Sequence, residues 1–197
     1  MKSQPDYITA LDLPETPRDQ LPADYQKYFA VCEEKLGMVP NVLRAYSQNA
    51  AQLDVFSRFY NELMFGESGL SDLEKEMIAV AVSSSNRCYY CQVAHGAAVR
   101  QYSEDPKLGE LMVMNYRVAE LSERHRAMLD FATTLSRTPE QVNQASYDAL
   151  YAQGFDDEDI WDITAVTAFF GLSNRMAIVA AMQANTEFYT MAREPRQ

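Results

Sequence analysis

Four residues within one short stretch of the chain could together carry out thiol redox chemistry. Cys88 and Cys91 are separated by two residues, His95 lies four positions after Cys91, and Glu76 lies twelve positions before Cys88. Two thiols can form and break a disulfide, while an imidazole and a carboxylate can accept and return the proton. The pattern Glu-x11-Cys-x2-Cys-x3-His therefore predicts a redox site with these four side chains as its catalytic residues.

Helical spacing would place the three residues of the cysteine segment on one face. Residues three or four apart are neighbours on a helix, and their Cα atoms fall within the roughly 4.4–6.8 Å that a disulfide requires. The positive end of the helix dipole lowers a thiol pKa and favours Cys88 as the nucleophile, whereas a base at His95 favours Cys91. The spacing leaves open which sulfur attacks. The prediction requires both sulfurs to be reachable from solvent.

Glu76 is expected on the helix that precedes the cysteines. A tight connection at residues 83–87 would bring that helix back beside the cysteine helix, where the carboxylate of Glu76 can orient His95. The alternative interpretation is a solvated acid, because Glu74 and Lys75 are its charged neighbours.

Other sites could use the same cysteines. They could be two buried apolar side chains, or half of a tetrahedral zinc site completed by the histidine and the carboxylate. Structural zinc sites usually have a second ligand pair, which the sequence lacks, so neither a metal nor a cofactor is expected. Gln92 stands where haem attachment requires histidine. Cys32 is expected to be structural, and His125 to lie at the surface.

The elements that must position these residues are helical. Apolar residues recur with helical spacing and no alternating strand pattern stands out, which predicts an all-α bundle of about eight to nine helices. Ser71 and Glu74 form a capping-box pattern for a helix that ends near Ser85, and Asn86 is the expected N-cap of the cysteine helix. Further helices are expected at about 23–36, 40–46, 52–65, 106 onward, 122–137 and 146–154, and from 156 onward.

Residues 1–20 hold three of the eight prolines and predict an extended N-terminal arm, followed by one helical domain at 21–197 with its redox core at about 70–105. Residues 70–82 and 155–167 share acidic starts and apolar middles. They indicate either a duplicated helical hairpin or two buried helices with similar caps.

The net charge is −11, with 17 basic and 28 acidic residues, which disfavours nucleic acid and anionic membrane surfaces as partners. No apolar signal segment opens the chain, and its apolar runs are far shorter than the roughly 20 residues of a membrane span. A close thiol pair in a chain with three cysteines is typical of cytoplasmic catalytic or metal-binding proteins, so a cytoplasmic location is expected.

The four-residue signature resembles that of the alkylhydroperoxidase D-like branch of the carboxymuconolactone decarboxylase superfamily. The likeness includes LSDLEKEMIA at 70–79, NRCYYC at 86–91 and AHG at 94–96. Weaker likeness to the subgroup of peroxidase-related enzymes lies in MVPNVLRAY at 38–46 and FFGLSNRM at 169–176.

The resemblance implies an all-helical fold, homo-oligomers and thiol peroxidase activity. It assigns Cys91 as the peroxidatic residue, Cys88 as the resolving residue, and His95 with Glu76 as the proton relay. A further histidine precedes the second cysteine in the best-known members, and Tyr90 occupies that position here. A phenol titrates near 10 and is a poor base at neutral pH, so the relay is altered.

The leading hypothesis is a thiol-dependent reductase of alkyl hydroperoxides. The resemblance implies a dithiol reductant, which can be a lipoylated protein, and a link to a peroxiredoxin system. One alternative is a low-turnover thiol redox-sensing or adaptor protein. Further alternatives are a decarboxylase-like, dehalogenating or metal-binding protein, although the decarboxylases of the superfamily work without the cysteine pair.

Overall fold

A computed structural model describes residues 3–194, and the regular elements in that range are all helical. This confirms the all-α prediction and the expected number of helices. The described residues form nine α-helices: α1 (Ala23–Leu36), α2 (Asn41–Tyr46), α3 (Ala50–Phe65), α4 (Asp72–Ser85), α5 (Tyr89–Ser103), α6 (Pro106–Asn115), α7 (Glu123–Arg137), α8 (Gln144–Tyr151) and α9 (Asp157–Val179). Four short 3₁₀ helices lie at Arg18–Gln20, Tyr116–Val118, Pro139–Gln141 and Thr186–Tyr189.

Local sequence signals set most helix ends. Gly37 ends α1 in the left-handed conformation, at φ 74°, which glycine adopts without a steric cost. At the start of α4, Ser71 Oγ accepts a hydrogen bond from the Glu74 amide, and the Glu74 carboxylate accepts one from the Ser71 amide. Because these signals act over three or four residues, the sequence predicted both boundaries.

The start of α5 differs from the prediction. Asn86 belongs to the end of α4, and Cys88 is the N-cap of α5. Arg87 between them takes the left-handed conformation, at φ 58°, and so separates the two helices. The Asn86 side chain donates to Ser136 and to Asn174 instead of capping α5. Contacts with residues distant in the sequence therefore occupy the side chain that local capping preferences would have assigned to the start of α5.

Helix α4 lies at the centre of the bundle. It packs against α5, α6, α7 and α9, and its residues from Glu74 to Ser83 are all buried. A helix that is covered on all sides needs no polar face, which explains its run of small and branched apolar residues. The main core combines side chains from α4 with others from α3, α7 and α9, including Leu53, Met77, Ile78, Leu129, Ile163 and Phe170.

The N-terminal segment at 3–17 contains no helix and lies against the C-terminal part of the chain. The amide of Ala10 donates to the carbonyl of Ala180, and the amide of Gln183 donates to that of Ile8. The expected arm at 1–20 includes the 3₁₀ helix Arg18–Gln20, and positions 1, 2 and 195–197 of the predicted arm and domain lie outside the described residues. The domain limits stay a prediction.

The two similar segments noted in the sequence both begin helices with capping boxes, at Ser71 for α4 and at Asp156 for α9, and the two helices pack together. Only α4 is followed by a second helix in a hairpin, because residues 180–194 contain just a 3₁₀ helix. The likeness therefore covers one helix and its cap. Over the described residues, no helix has the length and apolar character to cross a bilayer.

Candidate functional site

The connection between α4 and α5 holds the first cysteine in place. The amide of Cys88 donates to the carbonyl of Ser83 on α4, and its own carbonyl accepts from the amide of Gln92 in the first turn of α5. Cys88 therefore lies at the positive end of the α5 dipole, and Cys91 lies one turn into the helix. This agrees with the prediction that the two cysteines are neighbours near the start of a helix, although Cys88 precedes the helix and does not lie within it.

The two sulfurs are in direct contact and do not form a disulfide in this structure. The Sγ atoms of Cys88 and Cys91 lie 2.9 Å apart, close enough for one thiol to donate a hydrogen bond to the other sulfur. Each cysteine is only 1% exposed. The expectation that both sulfurs are reachable from solvent is therefore wrong for this chain alone. They belong to an apolar cluster that also contains Met38, Tyr90, Ala94, Ala97, Ala177, Met182 and Phe188.

The contact between the two sulfurs shifts the pKa values of the two thiols in opposite directions. The hydrogen bond with Cys91 lowers the pKa of Cys88, although burial opposes this, and His95 adds a smaller favourable charge effect. The hydrogen bond with Cys88, together with burial, raises the pKa of Cys91 well above its usual value. Because the first thiolate is stabilised by the remaining thiol, the pair gives up its two protons in two well-separated steps.

A second buried pair lies beside the thiols. The Nδ1 atom of His95 and the Oε2 atom of Glu76 are 2.7 Å apart, and both side chains are nearly inaccessible. A carboxylate can only accept a hydrogen bond, so Nδ1 is the donor, and the nitrogen that a neutral imidazole would offer as a proton acceptor is Nε2. The interpretation of Glu76 as a solvated acid is therefore wrong.

Aromatic rings fix the orientation of the imidazole. The ring of Phe170 on α9 meets that of His95 edge to face, with their centroids 4.6 Å apart, and Tyr60 on α3 lies 6.4 Å away. Burial and the nearby Glu76 raise the pKa of Tyr60 well above its usual value, so this phenol stays protonated. Three helices besides α5 thus contribute to the surroundings of His95.

Tyr90 stands where the resemblance expected a histidine. Its hydroxyl accepts a hydrogen bond from the amide of Val42 at the start of α2, and burial raises its pKa far above neutral pH. Tyr90 therefore supports α2 and does not serve as a base. Because its pKa is raised, the Tyr90 phenol is an even poorer base in the folded chain than a free phenol.

The structure adds two polar residues that the sequence reasoning did not assign to the site. The side chain of Asn174 helps to lower the pKa of both cysteines, and that of Ser173 helps to lower the pKa of Cys91. Both residues lie on α9 in the segment 169–176, whose family likeness was the only signal in the sequence. Nothing in their local spacing relates them to the cysteines, because α9 reaches the site through tertiary packing.

The remaining sequence candidates lie apart from the thiol pair. Cys32 is buried on α1 among core side chains, as expected for a structural residue. His125 is half-buried, with Nε2 3.8 Å from a carboxylate oxygen of Glu74, so the expected surface position is only partly right. No three His, Cys, Asp or Glu side chains between residues 3 and 194 form a group that could hold a metal ion.

Residues 51–112 match the carboxymuconolactone decarboxylase family, and this range contains all four predicted site residues. The chain is 55% identical to an uncharacterized peroxidase-related protein from Silicibacter sp. TM1040, whose crystal structure superposes with a TM-score of 0.92. That match covers 97% of this chain and 99% of the other. None of the proteins with curated descriptions matches the sequence.

Two other solved structures share the fold. An uncharacterized peroxidase-related protein from Ralstonia eutropha JMP134, described as an alkylhydroperoxidase AhpD core, is 41% identical, with a TM-score of 0.93 over 98% of this chain and 100% of the other. The debrominase Bmp8, solved in complex with 2,3,4-tribromopyrrole, is 19% identical, with a TM-score of 0.76 over 99% of this chain and 100% of the other. At that identity, the debrominase shows likeness of fold alone.

Proposed function

The chain belongs to the carboxymuconolactone decarboxylase family and is alkylhydroperoxidase D-like, and from this premise we propose that it reduces organic hydroperoxides with its cysteine pair. The observation that carries the proposal is the contact of 2.9 Å between the two sulfurs, beside a buried His–Glu pair. Two thiols in contact can be converted to a disulfide with little movement of the backbone.

In the first half of the proposed reaction, the Cys91 thiolate attacks the outer oxygen of the hydroperoxide. The O–O bond breaks, the sulfur becomes a sulfenic acid, and the alkoxide leaves as an alcohol after taking up a proton. His95 is the proposed donor of that proton, since it can hold the proton lost by the thiol while Glu76 stabilises the imidazolium. The peroxide gains the two electrons that the sulfur loses.

In the second half, the thiol of Cys88 condenses with the sulfenic acid. A disulfide forms and one water leaves, which returns the site to a neutral, oxidised state. An external dithiol then reduces the disulfide by two exchange steps and is itself oxidised. By family likeness, the reductant would be a lipoylated protein or a peroxiredoxin-linked system. We propose a cytoplasmic location because a close pair of catalytic thiols is typical of that compartment.

The roles of the two sulfurs follow the resemblance, while the order of their ionisation favours Cys88 as the first thiolate. Both statements are compatible because a proton can move between sulfurs 2.9 Å apart, so either one can carry the charge. The assignment of attack to Cys91 is therefore part of the proposal and needs a direct test.

Adding one equivalent of an organic hydroperoxide, such as cumene hydroperoxide, to the reduced protein should remove two thiols per chain. Mass spectrometry should find a bond between Cys88 and Cys91 and a free Cys32, since only the first two sulfurs are in contact. With a dithiol donor present, peroxide should be consumed over many turnovers. A disulfide that includes Cys32, or no loss of thiols, would contradict the proposal.

The burial of both sulfurs favours a second candidate, a redox sensor or adaptor with negligible turnover. A dithiol donor attached to a protein is much larger than a peroxide and cannot contact sulfurs that are 1% exposed unless the surrounding chain moves. The same experiment separates the two functions. A sensor would be oxidised once by peroxide and would stay oxidised when lipoamide or a lipoylated protein is supplied with its own reductase.

We also propose that the chain works as a homo-oligomer, as the resemblance implies. Trp161 and Val179 on α9 are 75% and 73% exposed. Exposed apolar surface of this kind often marks an interface with another protein chain. Sedimentation should give a mass that is a multiple of 22.4 kDa, and Trp161→Glu should lower it. A single-chain mass at micromolar concentration would refute the proposal. Further exposed apolar residues are Leu172 and Met176 on α9 and Val55 and Phe59 on α3.

A further inference from the structure

A segment without an α-helix covers the thiol pair, and we call it the strap. It comprises residues 182–191, which follow α9 and contain only the 3₁₀ helix Thr186–Tyr189. Met182 and Phe188 of the strap are buried in the apolar cluster that encloses both cysteines. Apart from Met38, which lies between α1 and α2, the other buried members of that cluster lie on or next to α5 and α9. Those helices can uncover the sulfurs only by losing helical hydrogen bonds, whereas the strap has no such ladder.

The backbone is unusual at both ends of the strap. Ala181, just before it, and Ala192, just after it, both have the left-handed conformation, at φ 47° and φ 51°. This conformation is unfavourable for a residue with a Cβ atom, so surrounding contacts must hold each alanine in it. Rotation of the backbone at these two positions would remove that strain and would swing the strap without disturbing α9.

A buried arginine holds the second half of the strap. Arg100 lies on α5, the helix that also contains Cys91, and is only 3% exposed. Its Nη2 donates a hydrogen bond of 2.7 Å to the carbonyl of Phe188, and its Nε donates one of 3.0 Å to that of Met191. Gly109 on α6 leaves room for this side chain, because a Cβ atom there would lie 2.3 Å from Cγ of Arg100. The guanidinium thus connects the strap to the helix of the site.

Two asparagines hold the first half of the strap. The Oδ1 of Asn185 accepts a hydrogen bond of 2.7 Å from the amide of Asn41, and its Nδ2 donates one of 3.0 Å to the carbonyl of Val39. The Nδ2 of Asn41 donates in return to the carbonyl of Gln183, at 2.9 Å. The amide of Gln183 donates to the carbonyl of Ile8 in the N-terminal segment. Both halves of the strap are therefore attached to the helical body by hydrogen bonds from individual side chains.

We propose that residues 182–191 form a strap that opens at Ala181 and Ala192 to expose the thiol pair, and that Arg100 is its latch. In the closed state, Met182 and Phe188 keep bulky reagents away from the sulfurs. In the open state, the external dithiol of the proposed function reaches them, and the inference rests on that function only for the identity of this reagent. The rate at which a bulky reagent reacts with the thiols is then proportional to the fraction of chains that are open.

The latch is tested without peroxide in a Cys32→Ser chain, in which only the cysteine pair can react. One thiolate attacks the bulky disulfide dithiobis(nitrobenzoic acid) and releases a coloured thiolate, and the second cysteine displaces another by closing the Cys88–Cys91 disulfide. Arg100→Met should raise the rate of colour release about tenfold to a hundredfold, the range expected when a hydrogen bond from a charged donor is lost. Glu110, which lies 3.7 Å from Arg100, keeps its ion pair with Arg193 at 2.8 Å in this variant.

Arg126→Met is the matched control. Arg126 also connects two backbone carbonyls, those of Tyr116 and Ala119, but it lies on α7 and outside the cluster around the thiols. This variant should be less stable and should release colour at the unaltered rate. An equal rise in both variants would mean that any loosening of the fold exposes the thiols, and would reject the latch.

Hydrogen exchange locates the motion. The amide of Gln183 reports on the strap, because its hydrogen bond to Ile8 must break when the strap swings. Arg100→Met should speed its exchange by the same factor as the thiol reaction and should leave the amides of α5 unchanged. Asn185→Ala, which removes the attachment of the first half, should act in the same direction and replaces Arg100→Met if that variant does not fold. A faster thiol reaction without faster exchange at Gln183, or an unchanged thiol reaction in a folded variant, would overturn the inference.

The outcomes also separate the strap from the proposed function. A faster thiol reaction in Arg100→Met, combined with no turnover of peroxide by the wild type, would retain the strap and reject the peroxidase. An unchanged thiol reaction in Arg100→Met, with a wild type that does turn over peroxide, would retain the peroxidase and reject the strap.

Discussion

Cys91→Ser should abolish peroxide consumption in the presence of a dithiol donor. Serine is nearly isosteric with cysteine, but its hydroxyl is not ionised at neutral pH and is not oxidised by peroxides, so neither the sulfenic acid nor the disulfide can form. Steady-state loss of cumene hydroperoxide, measured with a dithiol donor in excess, should fall to the rate of the buffer. The fold should be retained, which circular dichroism would verify.

Cys88→Ser is the matched control, because it removes the other member of the same pair. Cys91 should then be oxidised once, and the sulfenic acid should persist because no thiol lies near enough to condense with it. A sulfenic acid reagent such as dimedone should label Cys91 in this variant with a stoichiometry near one. Cys32→Ser should behave as the wild type, since that thiol lies in the main core away from the pair.

The reciprocal result would revise the mechanism. If dimedone instead labels Cys88 in Cys91→Ser, attack belongs to the sulfur with the lowered pKa, and the assignment by family likeness is wrong. Retention of full turnover in Cys91→Ser would exclude the disulfide cycle altogether. The two single variants therefore show whether the sulfur with the lower pKa is also the one that attacks the peroxide.

Glu76→Gln should lower the rate of peroxide consumption about a hundredfold, within the range that general acid–base catalysis contributes. The amide still reaches Nδ1 of His95, so the ring stays in place, but it cannot stabilise the positive charge that the imidazole gains when it takes the thiol proton. The effect should fall on kcat, measured from initial rates over a range of peroxide concentrations.

Glu74→Gln provides the comparison, because Glu74 is a buried acid on the same helix but forms an ion pair with Arg124 at 3.0 Å. That variant should be less stable and should keep its turnover. Equal losses of turnover in the two variants would mean that any buried charge on α4 matters and that the His–Glu relay has no special role.

The sequence predicted the parts of this fold that local chemistry decides. Gly37, the Ser71–Glu74 box and the acidic start at Asp156 each determine a helix end through contacts within a few residues, and the structure has those ends. Asn86 shows the limit of such reasoning. It has a side chain suited to capping, but Ser136 and Asn174 compete for the same groups and are distant in the sequence.

The same limit applies to the site. Spacing alone placed Cys88, Cys91, His95 and Glu76 on adjacent helices, because a short connection brings two consecutive helices side by side. The burial of the sulfurs could not be predicted in this way. It depends on Met182 and Phe188, which follow α9 and return to the cysteines through contacts with α5.

The proton shared by the two sulfurs has a consequence for how pH sets the balance between the reduced and oxidised chain. Over the interval between the lowered pKa of Cys88 and the raised pKa of Cys91, the reduced pair holds one proton. Closing the disulfide then releases one proton for two electrons. Across that interval, the midpoint potential of the couple changes with pH half as steeply as that of a dithiol that starts with both protons.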